Sequence, residues 1–326
     1  MNDAMNTMNR RFFFKASTLA GLSLARRFSV AAEAPGPRRK FTIALACGMI
    51  GVRGDPRKEI EWAVQFGFEA VEPAAAFLGK LSEGELEAYL GEMKSKKLSW
   101  GAAGFPVQFR GDDATFEQSM EVLPGFARTL QRAGVTRVAT WLSPGHRTLT
   151  YLANFRQHAK RLREAARVLG DHGLRLGLEY VGPKSSWSVQ RFPFIHTMAE
   201  MKDLIAEIGR DNVGFLLDTW HWYTAKETEA DLLTLKGRDV ILCHVNDAPQ
   251  GVAVDQQIDS RRELPCATGA IDLKAFMGAM LRIGYDGPMA CEPFNQELRK
   301  LPAEQALATV AAAMKKAVGL VDVPGQ

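Results

Sequence analysis

Short apolar runs alternate along this chain with longer stretches in which apolar positions recur at helical spacing. The runs fall at residues 41–47, 68–72, 98–103, 135–141, 174–180, 213–217, 240–245 and 287–292. Brief and nearly all apolar, they predict strands of a parallel sheet covered on both faces. The amphipathic stretches predict helices over 55–66, 82–96, 113–133, 150–172, 196–208, 227–236, 271–283 and 302–318. The punctuation agrees. Asp55-Pro56 caps and opens the first helix, and Ser82 with Glu85 makes a capping box. Gly67, Gly134, Gly173 and Gly284 stand where a helix gives way to the next strand.

Eight strand–helix pairs predict an α/β protein with the (β/α)8 TIM barrel architecture, occupying residues 35–326 as one domain. A doubly wound open sheet is the alternative. The stretch after the first run argues against it, because Cys47-Gly48-Met49-Ile50-Gly51 lacks the glycine spacing of a phosphate-binding turn.

A barrel gives the strand ends a meaning, since sites in this fold gather at the carboxyl ends of the strands. Four successive runs end on side chains able to hold a metal: Glu179 in LGLEY, Asp218 in LLDTWHW, His244 in ILCHVND and Glu292 in ACEPF. Three carboxylates and an imidazole form a hard, anionic donor set suited to Mn2+ or Mg2+, with Co2+ or Zn2+ also accommodated. Singly, each residue has an ordinary explanation: a solvated rim glutamate, a helix-capping aspartate, a core histidine. On four consecutive strands they predict a divalent-metal site, because carboxylates crowded together without a cation repel strongly.

Charge narrows the partners. Of the formal +4, residues 1–34 carry +3, which leaves +1 for the rest. A near-neutral body has no basic stripe with which to displace counterions, so no nucleic-acid partner is expected. The leader reads Asn9-Arg10-Arg11-Phe12-Phe13-Phe14-Lys15, followed by a short, moderately apolar run over 16–25 and small residues over 29–34. It is expected to be a twin-arginine export signal that directs the protein to the periplasm or the medium. No other stretch approaches the roughly 20 apolar residues needed to span a bilayer, so no stable membrane insertion is expected after its removal. The four cysteines include no CxxC pair, which makes a zinc ribbon unlikely and buried thiols the expectation.

The segments LGLEY, GFLLDTWHW, CHVND and GYDGPMACEPF resemble the motifs of the sugar phosphate isomerase/epimerase superfamily, whose fold is a xylose isomerase-like TIM barrel. The resemblance covers the chain after the leader and is strongest over 174–294. It implies that Glu179, Asp218, His244 and Glu292 bind one divalent ion, most often Mn2+, and that Glu179 and Glu292 move protons on opposite faces of a substrate. It also implies that His221, three residues after Asp218, binds a substrate oxygen. From the residues alone, His221 could equally be a fifth ligand or a structural donor. The sequence departs from the ketose epimerases after His244, where Ala248-Pro249-Gln250-Gly251 lacks their substrate-binding arginine. A long loop offers Asp255, Gln256, Arg261 and Arg262 instead. Its RRELPCATGAID has Cys266 and Ala267 where glycine is usual.

Glu72 and His146-Arg147 are weighed evenly as substrate contacts or ordinary rim residues, and Gln256 and Arg261 of the loop are further candidates for substrate contact. Trp100, Trp141, Trp187, Trp220 and Trp222 are candidates for stacking on a sugar ring, with core packing as the ordinary alternative. The function expected is a metal-dependent isomerase or epimerase acting on a sugar or keto-sugar through an enediolate. The alternatives are a lyase eliminating from a 3-keto-glycoside and a non-catalytic sugar-binding protein. The superfamily's metal-dependent endonucleases gather three ions on many histidines, and the six histidines here do not support that reading. The expected partner is a small carbohydrate, and the sequence leaves a homo-oligomer open.

Overall fold

The computed structural model describes residues 38–321. The expected export leader lies outside the described residues. Nine short strands form one sheet: β1 (Thr42–Leu45), β2 (Ala70–Val71), β3 (Ser99–Trp100), β4 (Ala103–Gly104), β5 (Arg137–Trp141), β6 (Arg175–Glu179), β7 (Val213–Asp218), β8 (Val240–Val245) and β9 (Pro288–Cys291). Their order is β3-β2-β1-β9-β8-β7-β6-β5-β4, and all neighbours are parallel. β3 and β4 are two halves of one run, separated by Gly101 and Ala102. The order therefore starts and ends on the same piece of chain. The sheet is a closed (β/α)8 barrel, and every strand exits at one rim.

The helices follow the sequence pattern. They are α1 (Pro56–Phe66), α2 (Glu83–Ser95), α3 (Asp113–Arg132), α4 (Tyr151–Gly170), α5 (Met198–Ile208), α6 (Thr219–Thr224), α7 (Leu273–Arg282) and α8 (Ala303–Gly319). Asp55 accepts hydrogen bonds from the first-turn amides of α1, and Ser82 and Glu85 close the capping box of α2. Gly67, Gly134, Gly173 and Gly284 all have φ between 71° and 75°, the left-handed conformation that lets a helix stop and turn at once into a strand. Cys266, where the related motif would have glycine, also adopts a positive φ of 61°. The turn is kept although the residue type that favours it is not.

The helix expected over 227–236 is absent. Its place is taken by α6, by a single turn at Glu229–Leu232 and by a 3-10 turn at Gly237–Asp239. Leu232 and Leu235 are buried as expected, whereas Leu233 is 40% exposed, too few apolar positions to anchor a longer helix. A small antiparallel ribbon between Gly145–His146 and Phe192–Pro193 was not legible in the sequence. All four cysteines are free, and three of them are buried. No helix among the described residues is long and apolar enough to cross a membrane.

The pleat explains which side chains reach the barrel axis. Residues two apart on a strand share a face. The side chains of Leu216, Leu242, Ala102 and Ala139 form one small interior cluster, and those of Ala44, Ala46, Ala70 and Ala290 another. Asp218, His244 and Glu292 each lie two residues beyond Leu216, Leu242 and Ala290. The inward direction is thus set by packing below them, and their polar ends meet above an apolar floor.

Candidate metal centre

Register brings the four predicted ligands to one level. His244 pairs with Asp218 on β7 and with Ala290 on β9, while Glu179 ends β6 and Glu292 follows β9. One ligand-competent atom from each of Glu179, Asp218, His244 and Glu292 lies within 4.8 Å of the others. His244 Nδ1 is 3.2 Å from Glu292 Oε2, 3.4 Å from Glu179 Oε1 and 3.9 Å from Asp218 Oδ2. These approaches lack the directionality of hydrogen bonds. His244 Nδ1, His244 Nε2 and Glu179 Oε1 are all buried without a hydrogen-bond partner. Buried polar atoms are rarely left so. Three carboxylates and an imidazole converging on one point, with Glu179 and His244 carrying the unpartnered atoms, are what a divalent ion requires, and the residues present fit one.

Titration shows the same frustration. Burial pushes the Glu179 carboxyl up to about 8, helped by Glu292 and Asp218 and opposed by His244. Burial acts on Glu292 in the same direction, but His244 and Arg262 outweigh it and hold that carboxyl at about 2. For His244, burial favours the neutral ring, yet the Glu292 and Glu179 charges raise its pKa well above the ordinary range. In the absence of an ion, a proton shared among these groups balances part of their charge.

The ligands are braced before anything binds. Asp218 Oδ1 accepts from the Trp220 amide at 2.7 Å, so this residue also caps α6. Asn246, fully buried, donates to both Asp218 oxygens at 3.1 and 3.2 Å and accepts from the Glu292 amide at 3.0 Å. It ties the β7, β8 and β9 exits together. The next residue, Asp247, accepts four amides, from Ala248, Thr268, Gly269 and Ile271, and fixes the base of the long loop.

That loop supplies the residue that sequence reasoning misplaced by one position. Arg261 is exposed, whereas Arg262 is 3% exposed and inserted into the centre. Its Nη1 donates to Asp218 Oδ2 at 2.7 Å and to Glu292 Oε2 at 3.0 Å, and its Nη2 to Asp259 Oδ1 at 2.8 Å. Gln256 is likewise exposed, while its neighbour Gln257 turns inward and bonds the Pro249 and Val252 carbonyls. Arg261 and Gln256 thus lie outside the centre, because each is on the outward-facing side of its turn. The motif RRELP carried the signal, and of its two arginines only the second starts the spacing R-x-x-P.

His221, on α6, is 2% exposed and lies beside the centre rather than within the cluster of four. Its Nδ1 accepts from the Gly182 amide at 3.2 Å, and its Nε2 is 3.4 Å from Arg262 Nη2. Burial lowers its pKa to about 3, so the ring is neutral. Both ring nitrogens face donors; with Nδ1 accepting from Gly182, the proton is assigned to Nε2 and the longer Arg262 approach is not a hydrogen bond. Only glycine fits at position 182, since a Cβ there would come within 2.5 Å of the His221 carbonyl oxygen. Trp220 and Trp222, expected as stacking candidates, are buried in the core. The Nδ1 of His146 accepts from the Thr148 and Leu149 amides, and the residue sits on the small ribbon. Glu72, just past β2, is half-buried, and burial raises its pKa against the pull of His244. Neither His146 nor Glu72 lines the cavity of about 330 Å3 that opens from the centre. Glu179, Ser186, His221, Asp259, Arg262 and Glu292 form its polar lining.

Comparison with known proteins places this geometry. The family described as xylose isomerase-like TIM barrel matches residues 60–317. An inosose isomerase of Bacillus velezensis is 29% identical over 155 residues, 46% of this chain and 51% of that protein. A 3-dehydroshikimate dehydratase of Pseudomonas aeruginosa is 28% identical over 146 residues, 44% of this chain and 22% of that protein. The chain thus spans about half the length of the first of these curated relatives and about a fifth of the second. Among solved structures, a xylose isomerase domain protein from Alicyclobacillus acidocaldarius superposes with a TM-score of 0.73 at 29% identity. That match covers 86% of this chain and 99% of the other.

Proposed function

Because the chain belongs to the xylose isomerase-like TIM barrel family, we propose that it is a divalent-metal-dependent enzyme that moves a proton next to a carbonyl of a sugar or keto-sugar. The observation that carries this reading is the cluster of four ligand atoms within 4.8 Å, with unpartnered buried atoms on Glu179 and His244, at the end of a cavity. Glu179, Asp218, His244 and Glu292 would hold the ion, with Mn2+ favoured by the donor set. A bound ion would polarise a carbonyl and stabilise the oxyanion beside it.

The chain's own residues then divide the work. Glu179 takes the proton from carbon. Its carboxyl, at about 8 without an ion, is brought into the range of a base at neutral pH when a cation stands beside it. In an epimerase Glu292 would deliver a separate proton, drawn from solvent, to the opposite face. His221 donates its Nε2 proton to a substrate oxygen, and Arg262 holds Asp218 and Glu292 in place. A second reading, a lyase in which His221 assists a departing oxygen, is supported by the similarity to a dehydratase as well as to an isomerase.

Incubating the ion-loaded protein with keto-sugars in D2O should place deuterium on the carbon next to the carbonyl. A binding protein would leave that carbon unlabelled, and so would overturn the enzymatic reading. We extend the proposal to export by the twin-arginine route, on the strength of the Arg10-Arg11 pair. Replacing both arginines by lysine should strand the precursor inside the cell, and an unchanged exported yield would count against it.

A further inference from the structure

One wall of the cavity plays no part in proton transfer. Trp141 ends β5 in register with Glu179 on β6, lines the cavity and remains 48% exposed. Arg110 covers one face of its indole, with the guanidinium carbon 4.4 Å from the ring centroid, and also donates to the Trp141 carbonyl. A ring so backed is held in place, and it forms part of the cavity wall. Val181 and Pro144 extend this apolar side along the β5 and β6 exits.

A second ring stands across the mouth. Phe294 follows β9, and β5 and β9 are separated by three strands in the barrel order, on opposite sides of the rim. Phe294 has φ of 42°, a conformation that costs a bulky residue of order 1 kcal/mol or more and is kept here at the cavity edge. Arg262 lies over this ring at 4.5 Å, so one of its faces is backed as well. The cavity therefore has an ionic floor and two braced aromatic rings in its lining. Charged and hydroxyl-rich groups suit the floor, whereas the rings suit a flat apolar face.

We propose that Trp141 is the platform of a second subsite, and that the substrate carries two rings. A keto-sugar ring would sit on the carboxylate floor, and a linked second ring would stack against the indole. This rests on the carbohydrate reading given above. The shared chemistry is a flat apolar ring face, which an aromatic aglycone and the C–H face of a second sugar both offer.

The test is titration calorimetry of the ion-loaded protein with methyl 3-keto-glucoside, phenyl 3-keto-glucoside and 3-keto-cellobiose. One or both two-ring compounds should bind roughly tenfold more tightly than the methyl glycoside, the scale of one well-formed stacking contact. Whichever of the two gains identifies the second ring. Trp141→Ala should abolish the advantage and Trp141→Phe should keep most of it, while methyl glycoside binding and ion content stay unchanged in both. Equal binding of the three compounds, or an advantage that survives in Trp141→Ala, overturns the platform and leaves the carbohydrate reading standing. If none of the three binds, the carbohydrate reading falls and takes the platform with it.

Discussion

The two halves of the barrel rim are built differently. The strands that carry the candidate ligands, β6 to β9, are four to six residues long and almost wholly buried. Across the rim, β2, β3 and β4 pair over two residues each. The long strands present Glu179, Asp218, His244 and Glu292, while the other half ends on Ala46, Glu72, Gly104 and the exposed Trp141. A side chain on a fully packed strand is aimed by its neighbours, and chemistry that depends on distances near 3 Å needs such aim. Short strands leave the chain freer to shape a wall. On this reading the second half carries the reactive groups, and Trp141 and Pro144 of the first half share selection with Val181 and Phe294.

The most damaging way to break that division is to move a charge on each side. Asp218→Asn should remove stoichiometric metal, as read by elemental analysis. It should also cost stability of up to about 3–5 kcal/mol, because Arg262 loses a charged partner in a buried site. The double variant Asp218→Asn/Arg262→Met should recover much of that stability without recovering metal. Glu72→Gln, across the rim, should leave metal content as it was. If Glu72→Gln empties the site, or Asp218→Asn keeps its ion, the division of the rim is wrong.

Much of this asymmetry was legible in the chain. Buried six-residue runs such as Val213–Asp218 and Val240–Val245 announce themselves by hydrophobicity, and the ligands at their ends follow from the fold. The two-residue strands appeared only as parts of longer apolar runs, because their pairing depends on neighbours distant in sequence. Arg262 is the instructive miss. Arg261 and Arg262 are equivalent by composition and charge; beyond the R-x-x-P spacing that starts at Arg262, the isolated pairing of Asp247 with Glu263 beside it anchors this part of the loop. Asn246 read as an ordinary residue past a strand, and only the geometry shows it bonded to both Asp218 and Glu292. Trp141 was one of five tryptophans named, and nothing local distinguishes it from those that went into the core.

Arg262 sharpens the comparison at the next scale. The three ligand carboxylates, one guanidinium and a divalent ion sum to zero when His244 is neutral, and Asp259, bonded to Arg262, adds one negative charge at the cavity side. Without an ion, Arg262 is the cation that Asp218 and Glu292 hold. Arg262→Met should therefore destabilise the ion-free protein in thermal unfolding under chelator. It should also tighten ion binding by roughly tenfold or more, since one neighbouring positive charge is gone. Competition against a fluorescent chelator measures the second effect. Weaker ion binding in the variant would mean that Arg262 chiefly orients the ligands, not that it balances their charge.

The smallest effect compares one raised carboxyl from each half. In the second half, Glu227 bridges Tyr180, which follows β6, and the Met198 amide that opens α5. Burial pushes its carboxyl to about 7 against those hydrogen bonds. In the first half, Glu59 on α1 is also pushed to about 7, by burial first and then by Glu72. Between roughly pH 4.3, the ordinary glutamate value, and the folded value near 7, the folded chain holds a proton that the unfolded chain has released. Each group therefore favours folding at low pH, and this stability is lost as pH rises through about 7. The slope is at most about 1.4 kcal/mol per pH unit for a well-buried group. Urea unfolding under chelator at pH 5 and pH 8 isolates each contribution as the difference between wild type and variant. Glu227→Gln should remove the larger share of the pH dependence, because its carboxyl is the more deeply buried of the two. Glu59→Gln should remove less, since solvent screens a half-exposed helix residue. If the two substitutions change the slope equally, or Glu59 changes it more, the second half is no more tightly braced around its acids than the first, and the contrast in strand length does not extend to the groups behind the rim.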